Sequence, residues 1–146
     1  MLEIIRYTPE KAAEWNEFVA RSKNGTFLFN RDYMDYHGDR FEDYSLMFYD
    51  DGRLSALLPA NDGGGGVFCS HQGLTYGGLV MDKNSRAAKV RDMFVLLNAF
   101  LKNAGFHHVL YKHIPYVYCS LPADEDSFAL INVCKAAIVS RDVASV

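Results

Sequence analysis

Residues 74–114 read as strand, helix, strand, and this pattern limits the fold more tightly than any other stretch. Leu79-Val80-Met81 is an apolar run of the kind a buried strand makes. Asp82-Lys83-Asn84-Ser85 reads as a turn that caps a long helix over 86–104. In it Val90, Met93, Phe94, Leu97, Phe100, Leu101 and Ala104 recur at i, i+3, i+4 and i+7. Gly105 ends the helix and 107–114 is the next strand. Strands joined by a helix through short links should run parallel, with a right-handed crossover. The expectation is an α/β fold with a mixed sheet, in which the strands around 74–81 and 107–114 are neighbours under the 86–104 helix.

The remaining elements fit around that unit. Residues 2–7 read as a strand, and Thr8-Pro9 as the N-cap and first position of a helix. Its buried stripe is Ala12, Trp15, Phe18, Val19 and Ser22, and Asn24-Gly25 stops it in a left-handed cap. Asn30 caps a second, shorter helix through His37, ended by Gly38. Residues 44–49 and 53–58 make a hairpin around Asp50-Asp51-Gly52. The glycine run 63–66 lacks the Gly-Lys-Ser/Thr ending of a phosphate loop and reads as a hairpin tip before Val67-Phe68-Cys69. Asp124-Glu125-Asp126 is an acidic first turn for a helix to about Cys134. Residues 136–146 alternate like a last strand, which is expected to continue into something longer.

With 146 residues the chain is sized for one domain with a real core. A formal net charge of −3 gives no electrostatic footprint for nucleic acid, and no run is long enough to span a membrane. Cys69, Cys119 and Cys134 are odd in number and unrelated in spacing, which implies reduced thiols and a cytoplasmic protein. His107, His108 and His113 match no zinc spacing, so no metal is expected.

Chemistry concentrates in Ser70-His71-Gln72-Gly73-Leu74-Thr75-Tyr76-Gly77-Gly78, a polar, glycine-rich entry to a core strand. Glycine there permits positive φ or close approach of another backbone or a ligand. His71, Gln72, Thr75 and Tyr76 can all make directed hydrogen bonds. Tyr33 and His37, four apart, share one face of the second helix. A tight turn whose polar groups satisfy nearby backbone is the competing reading.

That block, together with Glu14-Trp15-Asn16-Glu17-Phe18-Val19, Ser22-Lys23-Asn24-Gly25-Thr26-Phe27-Leu28-Phe29, Tyr33-Met34-Asp35-Tyr36-His37, Leu57-Leu58-Pro59-Ala60-Asn61 and Pro122-Ala123-Asp124-Glu125-Asp126, resembles the N-terminal half of bacterial GNAT-like acyltransferases of the FemAB-related kind. The resemblance covers essentially the whole chain. It implies a GNAT-like module with a mixed sheet flanked by about four helices, residues 1–146 being the first half of a two-module protein. Such proteins are often found in polysaccharide or cell-wall biosynthesis, so an amine or amino-sugar acceptor is implied. Acyl-CoA is expected as donor for the full-length family, bound mainly by the second module. No cofactor is expected in this chain: counted from Gln72, the first glycine of the donor pattern Arg/Gln-x-x-Gly-x-Gly/Ala falls on Thr75. The expected role is to line the acceptor side of the cleft with His71, Gln72, Thr75, Tyr76, Tyr33, His37 and Lys112, with no catalytic residue assigned. The chain alone is expected to be inactive, partnered by a second GNAT-like module or by itself as a homodimer. A non-catalytic binding module and a structural or dimerisation module are the alternatives.

Overall fold

The structure, a computed structural model, describes residues 1–140 apart from the side chain of His37. In chain order it has β1 (Leu2–Arg6), α1 (Ala12–Arg21), α2 (Arg31–Met34), β2 (Glu42–Asp43), β3 (Leu46–Asp50), β4 (Arg53–Leu58), β5 (Asn61–Asp62), β6 (Val67–Cys69), β7 (Val80–Met81), α3 (Ala87–Asn103), β8 (His108–Leu110) and α4 (Glu125–Asn132). Two four-stranded sheets are formed, ordered β1-β3-β4-β7 and β2-β5-β6-β8. They share chain paths. Only Tyr44 and Ser45 separate β2 from β3, and only Pro59 and Ala60 separate β4 from β5. At that corner the Tyr44 N–H donates to Ala60 O at 3.0 Å, and the Ser45 hydroxyl accepts from the Ala60 N–H at 3.2 Å. The chain is therefore mixed α/β, with four α-helices among the described residues covering sheets that bend into one another.

Alternation along the strands makes two cores. Leu46, Phe48, Ala56 and Leu58 face α3, meeting Val90, Met93, Phe94, Leu97 and Leu101. Met47, Tyr49, Leu57 and Val80 face the other way, onto Trp15, Phe18 and Val19 of α1. Because both faces are covered, β3 is buried almost throughout. The β3–β4 hairpin turns through Asp51 and Gly52, with φ of 48° and 75°, the paired positive values a tight two-residue hairpin needs.

Several expectations need correction. β8 does run parallel to a strand of the same sheet, but that strand is β6, with Phe68 opposite Val109. β7 lies in the other sheet, antiparallel to β4. The strands around 80 and 109 are thus not ladder neighbours, because the glycine-rich segment between β6 and β7 carries the chain from one sheet to the other. Thr8 caps nothing with its side chain; a 3-10 turn, Pro9–Lys11, intervenes and Lys11 is the N-cap of α1. α1 ends on an extended Ser22, φ −68° and ψ 164°, not on a left-handed Asn24 or Gly25. Asn30 does cap α2, accepting the Asp32 N–H at 2.9 Å, but α2 gives way to a 3-10 turn at Asp35–His37. Residues 136–140 form no strand, and the rest of the expected last strand, 141–146, lies outside the described residues.

Candidate functional site

The candidate site is a bulge in a strand. Leu57 pairs with Val80 and Asn61 with Cys69, so the three residues 58–60 on one strand face ten on the other. The surplus of seven falls within segment 70–79, and each end of that segment is tied to the strand that continues β8. The Ser70 N–H donates to Leu110 O at 2.9 Å, and its hydroxyl accepts from the Lys112 N–H at 2.7 Å. The Gly77 N–H donates to Lys112 O at 3.1 Å. Glycine is required at 77, because a Cβ there would lie 2.4 Å from Ser70 O. Gly78 packs flat on the Tyr111 ring, whose hydroxyl would be 2.9 Å from a Cβ.

Five of the sequence-derived residues share this wall. His71 is buried, with φ of 55°, and its ring meets the Phe41 ring edge-on at 5.8 Å. Gln72 is gripped twice by the fully buried Asn61: its N–H donates to Asn61 Oδ1, and its Oε1 accepts from Asn61 Nδ2, each at 2.7 Å. Thr75 is exposed at the crest. Tyr76 is buried, donates to Thr26 Oγ1 at 3.1 Å, and stacks on Tyr118 with centroids 5.2 Å apart. The Lys112 ammonium donates to Leu74 O, with Gln72 O at 3.5 Å, and so straps the bulge down. Desolvation pulls the Lys112 pKa below its usual value. Tyr33 stands further off, half-exposed and edge-on to Phe27, the neighbour of Thr26. The His37 side chain lies outside the described residues. A cavity of about 430 Å3, lined by Arg6, Tyr7, Thr8, Pro9, Asp35 and Asp43, includes none of these residues.

Sequence reasoning missed the cluster behind the bulge. The Tyr111 hydroxyl accepts the Leu79 N–H and donates to Asp126 Oδ2, both at 2.6 Å. Asp126 is fully buried, and His113 Nδ1 is 3.1 Å from the same carboxylate oxygen. Asn24 was also missed: its side chain donates to Leu79 O at 2.8 Å and accepts from the Met81 N–H at 2.7 Å, as a strand would. The alternation of Tyr111 and His113 about Lys112 was the one available signal, since it sets them on the face opposite the strap.

No family model and no curated protein matches the sequence. Solved structures do. One is an aminoglycoside acetyltransferase, meta-AAC0020, from an uncultured soil metagenomic sample, in complex with sisomicin. It is 13% identical, with TM-score 0.58 over 99% of this chain and 94% of that one. Another is the aminoglycoside 6'-N-acetyltransferase AAC(6')-Ih from Acinetobacter baumannii, 12% identical, with TM-score 0.56 over 99% of this chain and 97% of that one. A third, AAC(6')-Iy in complex with CoA, is 13% identical, with TM-score 0.58 over 99% and 93%. The likeness is to nearly whole chains, so it lends no support to the expected missing half. At such identities it speaks for architecture, and the fold of this chain is that of the GNAT-type acetyltransferases.

Proposed function

We propose that this chain is a GNAT-fold N-acyltransfer domain that seats an amine-bearing acceptor on the 70–79 bulge and leaves the acyl donor to a partner. That partner would be a second GNAT-like module, as in FemAB-related proteins, or a second copy. The observation that carries the acceptor assignment is the Lys112 strap. An amine must lose its proton before it can attack a thioester carbonyl, and a fixed positive charge nearby disfavours the ammonium form. Exposed Thr75 and half-exposed Lys112 offer polar contacts, and Tyr118 and Tyr33 offer ring faces. An amino sugar suits that surface, and sisomicin, the ligand of one structural neighbour, is such a compound. Three unpaired cysteines are in keeping with a cytoplasmic setting.

Acyl-CoA, the donor the resemblance implies, does not fit the N-terminus of α3, the longest helix among the described residues. A pyrophosphate needs convergent backbone N–H groups with nothing anionic among them. Ahead of α3, Asp82 already accepts the Asn84 N–H at 2.7 Å and pairs with Arg21 at 2.8 Å. Exposed Lys83 and Arg86 bring positive charge, but residues 82–86 contain no glycine to let a phosphate close. Gly77 and Gly78 lead into a strand, not a helix. No step is therefore assigned to bound acyl-CoA, and no side chain at the bulge is assigned as base.

Titrating the 146-residue chain with sisomicin should shift the NMR signals of Thr75, Tyr76 and Lys112, while calorimetry with acetyl-CoA shows no tight binding. Shifts confined to other surfaces refute the acceptor reading. A second reading, a self-sufficient acetyltransferase, is favoured by the near-equal chain lengths of the neighbours. It wins if acetyl-CoA binds at or below about micromolar, roughly −8 kcal/mol. Sisomicin shifts without turnover, even with a donor module added, would leave a binding module.

A further inference from the structure

α4 opens on three successive acidic residues, Asp124, Glu125 and Asp126, and two cationic side chains meet them. Lys23, 3% exposed, reaches Glu125 Oε1 at 2.5 Å. His113 serves the other two: Nδ1 is 3.1 Å from Asp126 Oδ2, and Nε2 is 3.8 Å from Asp124 Oδ1. Ser127 supports the pairing, with its N–H donating to Asp126 Oδ1 at 2.8 Å and its hydroxyl 3.3 Å from His113 Nδ1. From Asp126 the path continues through the Tyr111 hydroxyl to the Leu79 N–H, the last residue of the bulge. Histidine is the side chain whose ordinary pKa lies near neutral pH. Protonated, His113 leaves three carboxylates facing two positive charges. Neutral, it leaves them facing Lys23 alone, and their mutual repulsion grows where the helix end can offset only part of it.

We propose that His113 is a pH-sensitive latch: its imidazolium holds the first turn of α4 and, through Asp126 and Tyr111, the end of the 70–79 bulge, and loss of its proton loosens both. The hydrogen bond to Asp126 acts first, and the charges of Asp126 and Asp124 add to it. Together they outweigh desolvation and raise the His113 pKa above its usual 6.5. The fold favours the charged form, so the latch is complete below about pH 6.5 and is lost as pH climbs through the raised value. Two further titratable groups near it are moved away from that window. Burial and the Asp126 charge push the Tyr111 phenol well above its usual value, and burial, then Asp126 and Asp124, push up the Cys119 thiol.

The test is amide hydrogen exchange on the intact chain, corrected for intrinsic rates, from about pH 5.5 to about pH 8.5. His113 is followed by NMR over the same range. In the unaltered protein, protection of the Phe128 amide, which bonds Asp124 O at 3.0 Å, and of the Leu79 amide should fall with rising pH. The fall should be about tenfold for each unit by which the folded pKa exceeds the unfolded one. In His113→Gln, which keeps a polar group beside Asp126, both amides should lose this dependence. In Tyr111→Phe the Phe128 amide should keep it and the Leu79 amide should lose it. Equal pH profiles for the unaltered chain and His113→Gln overturn the latch, as does a His113 titration at or below about 6.5. An unchanged Leu79 profile in Tyr111→Phe overturns the link to the bulge.

Discussion

Replacing Gly77 by alanine puts the whole bulge under load. The new methyl would lie 2.4 Å from Ser70 O, inside the 3.0 Å that real Cβ atoms keep. Ser70 cannot retreat, since its N–H is bonded to Leu110 O at 2.9 Å and its hydroxyl to the Lys112 N–H at 2.7 Å. The bulge must shift instead, and the Gly77 bond to Lys112 O goes with it. Overpacking costs about 1–3 kcal/mol and the lost hydrogen bond about 0.5–1.5, so about 2–4 kcal/mol is expected in all. At this chain length that is a fall in Tm of about 5–15 °C. Urea unfolding gives the free energy and calorimetry the Tm. Gly64→Ala is the control: its φ is 78° but a Cβ there meets nothing within 4 Å, so only the left-handed backbone penalty of about 1 kcal/mol should appear. If Gly77→Ala costs under about 0.5 kcal/mol, or less than Gly64→Ala, the account of a bulge clamped between Ser70 and Lys112 is wrong.

Arg31, 1% exposed, bonds Asp43 at 2.5 Å and lies 3.4 Å over the Tyr7 ring and 4.2 Å over Trp15, so the packing lost in Arg31→Ala should cost about 2–5 kcal/mol in urea unfolding. A cost near 1 kcal/mol would mean that its stacking and ion pairing contribute little net stability. Lys112→Ala frees the Leu74 and Gln72 carbonyls and should cost about 1–2 kcal/mol at neutral pH. Because desolvation depresses the folded Lys112 pKa, the unfolded lysine holds its proton to higher pH. Stability of the unaltered chain should therefore rise as pH approaches 10.5, an increment the variant lacks. A thiol assay on denatured, unreduced protein should count three free groups; a count of one would reveal a disulfide.

What the sequence disclosed depended on how local each cause was. The α3 stripe was legible because Val90, Met93, Phe94, Leu97 and Leu101 recur at the helical period and are all buried. The β3–β4 hairpin was legible because Asp51-Gly52 is a turn that only a few residue pairs can make. The partner of β8 was not, since a strand–helix–strand pattern says that two strands pair but not that seven surplus residues divide one of them. At the candidate site, the 70–79 block was singled out from its glycines and polar residues. The grip of Asn61 on Gln72 and the meeting of His113 with Asp126 were not, because each joins residues more than ten apart across irregular backbone. Acidic residues at 124–126 read as helix-end charge, which is true of them without exhausting what they do.

The crossing of segment 70–79 between sheets also sets an order of assembly. β1, β3, β4 and α1 all lie within the first 58 residues, and their contacts close over short loops. β6 meets β8 only after residues 70–107 have been laid down. Loop closure over that distance is slow, and non-local pairing lags local pairing. A chain leaving the ribosome amino end first thus completes three strands of one sheet while the other has an open edge at β6. During that interval the bulge has no Lys112 to strap it and β6 has no neighbour on that side. An unpaired edge invites pairing with another nascent chain, so synthesis speed between residues 70 and 110 should govern soluble yield more than speed anywhere earlier in the chain.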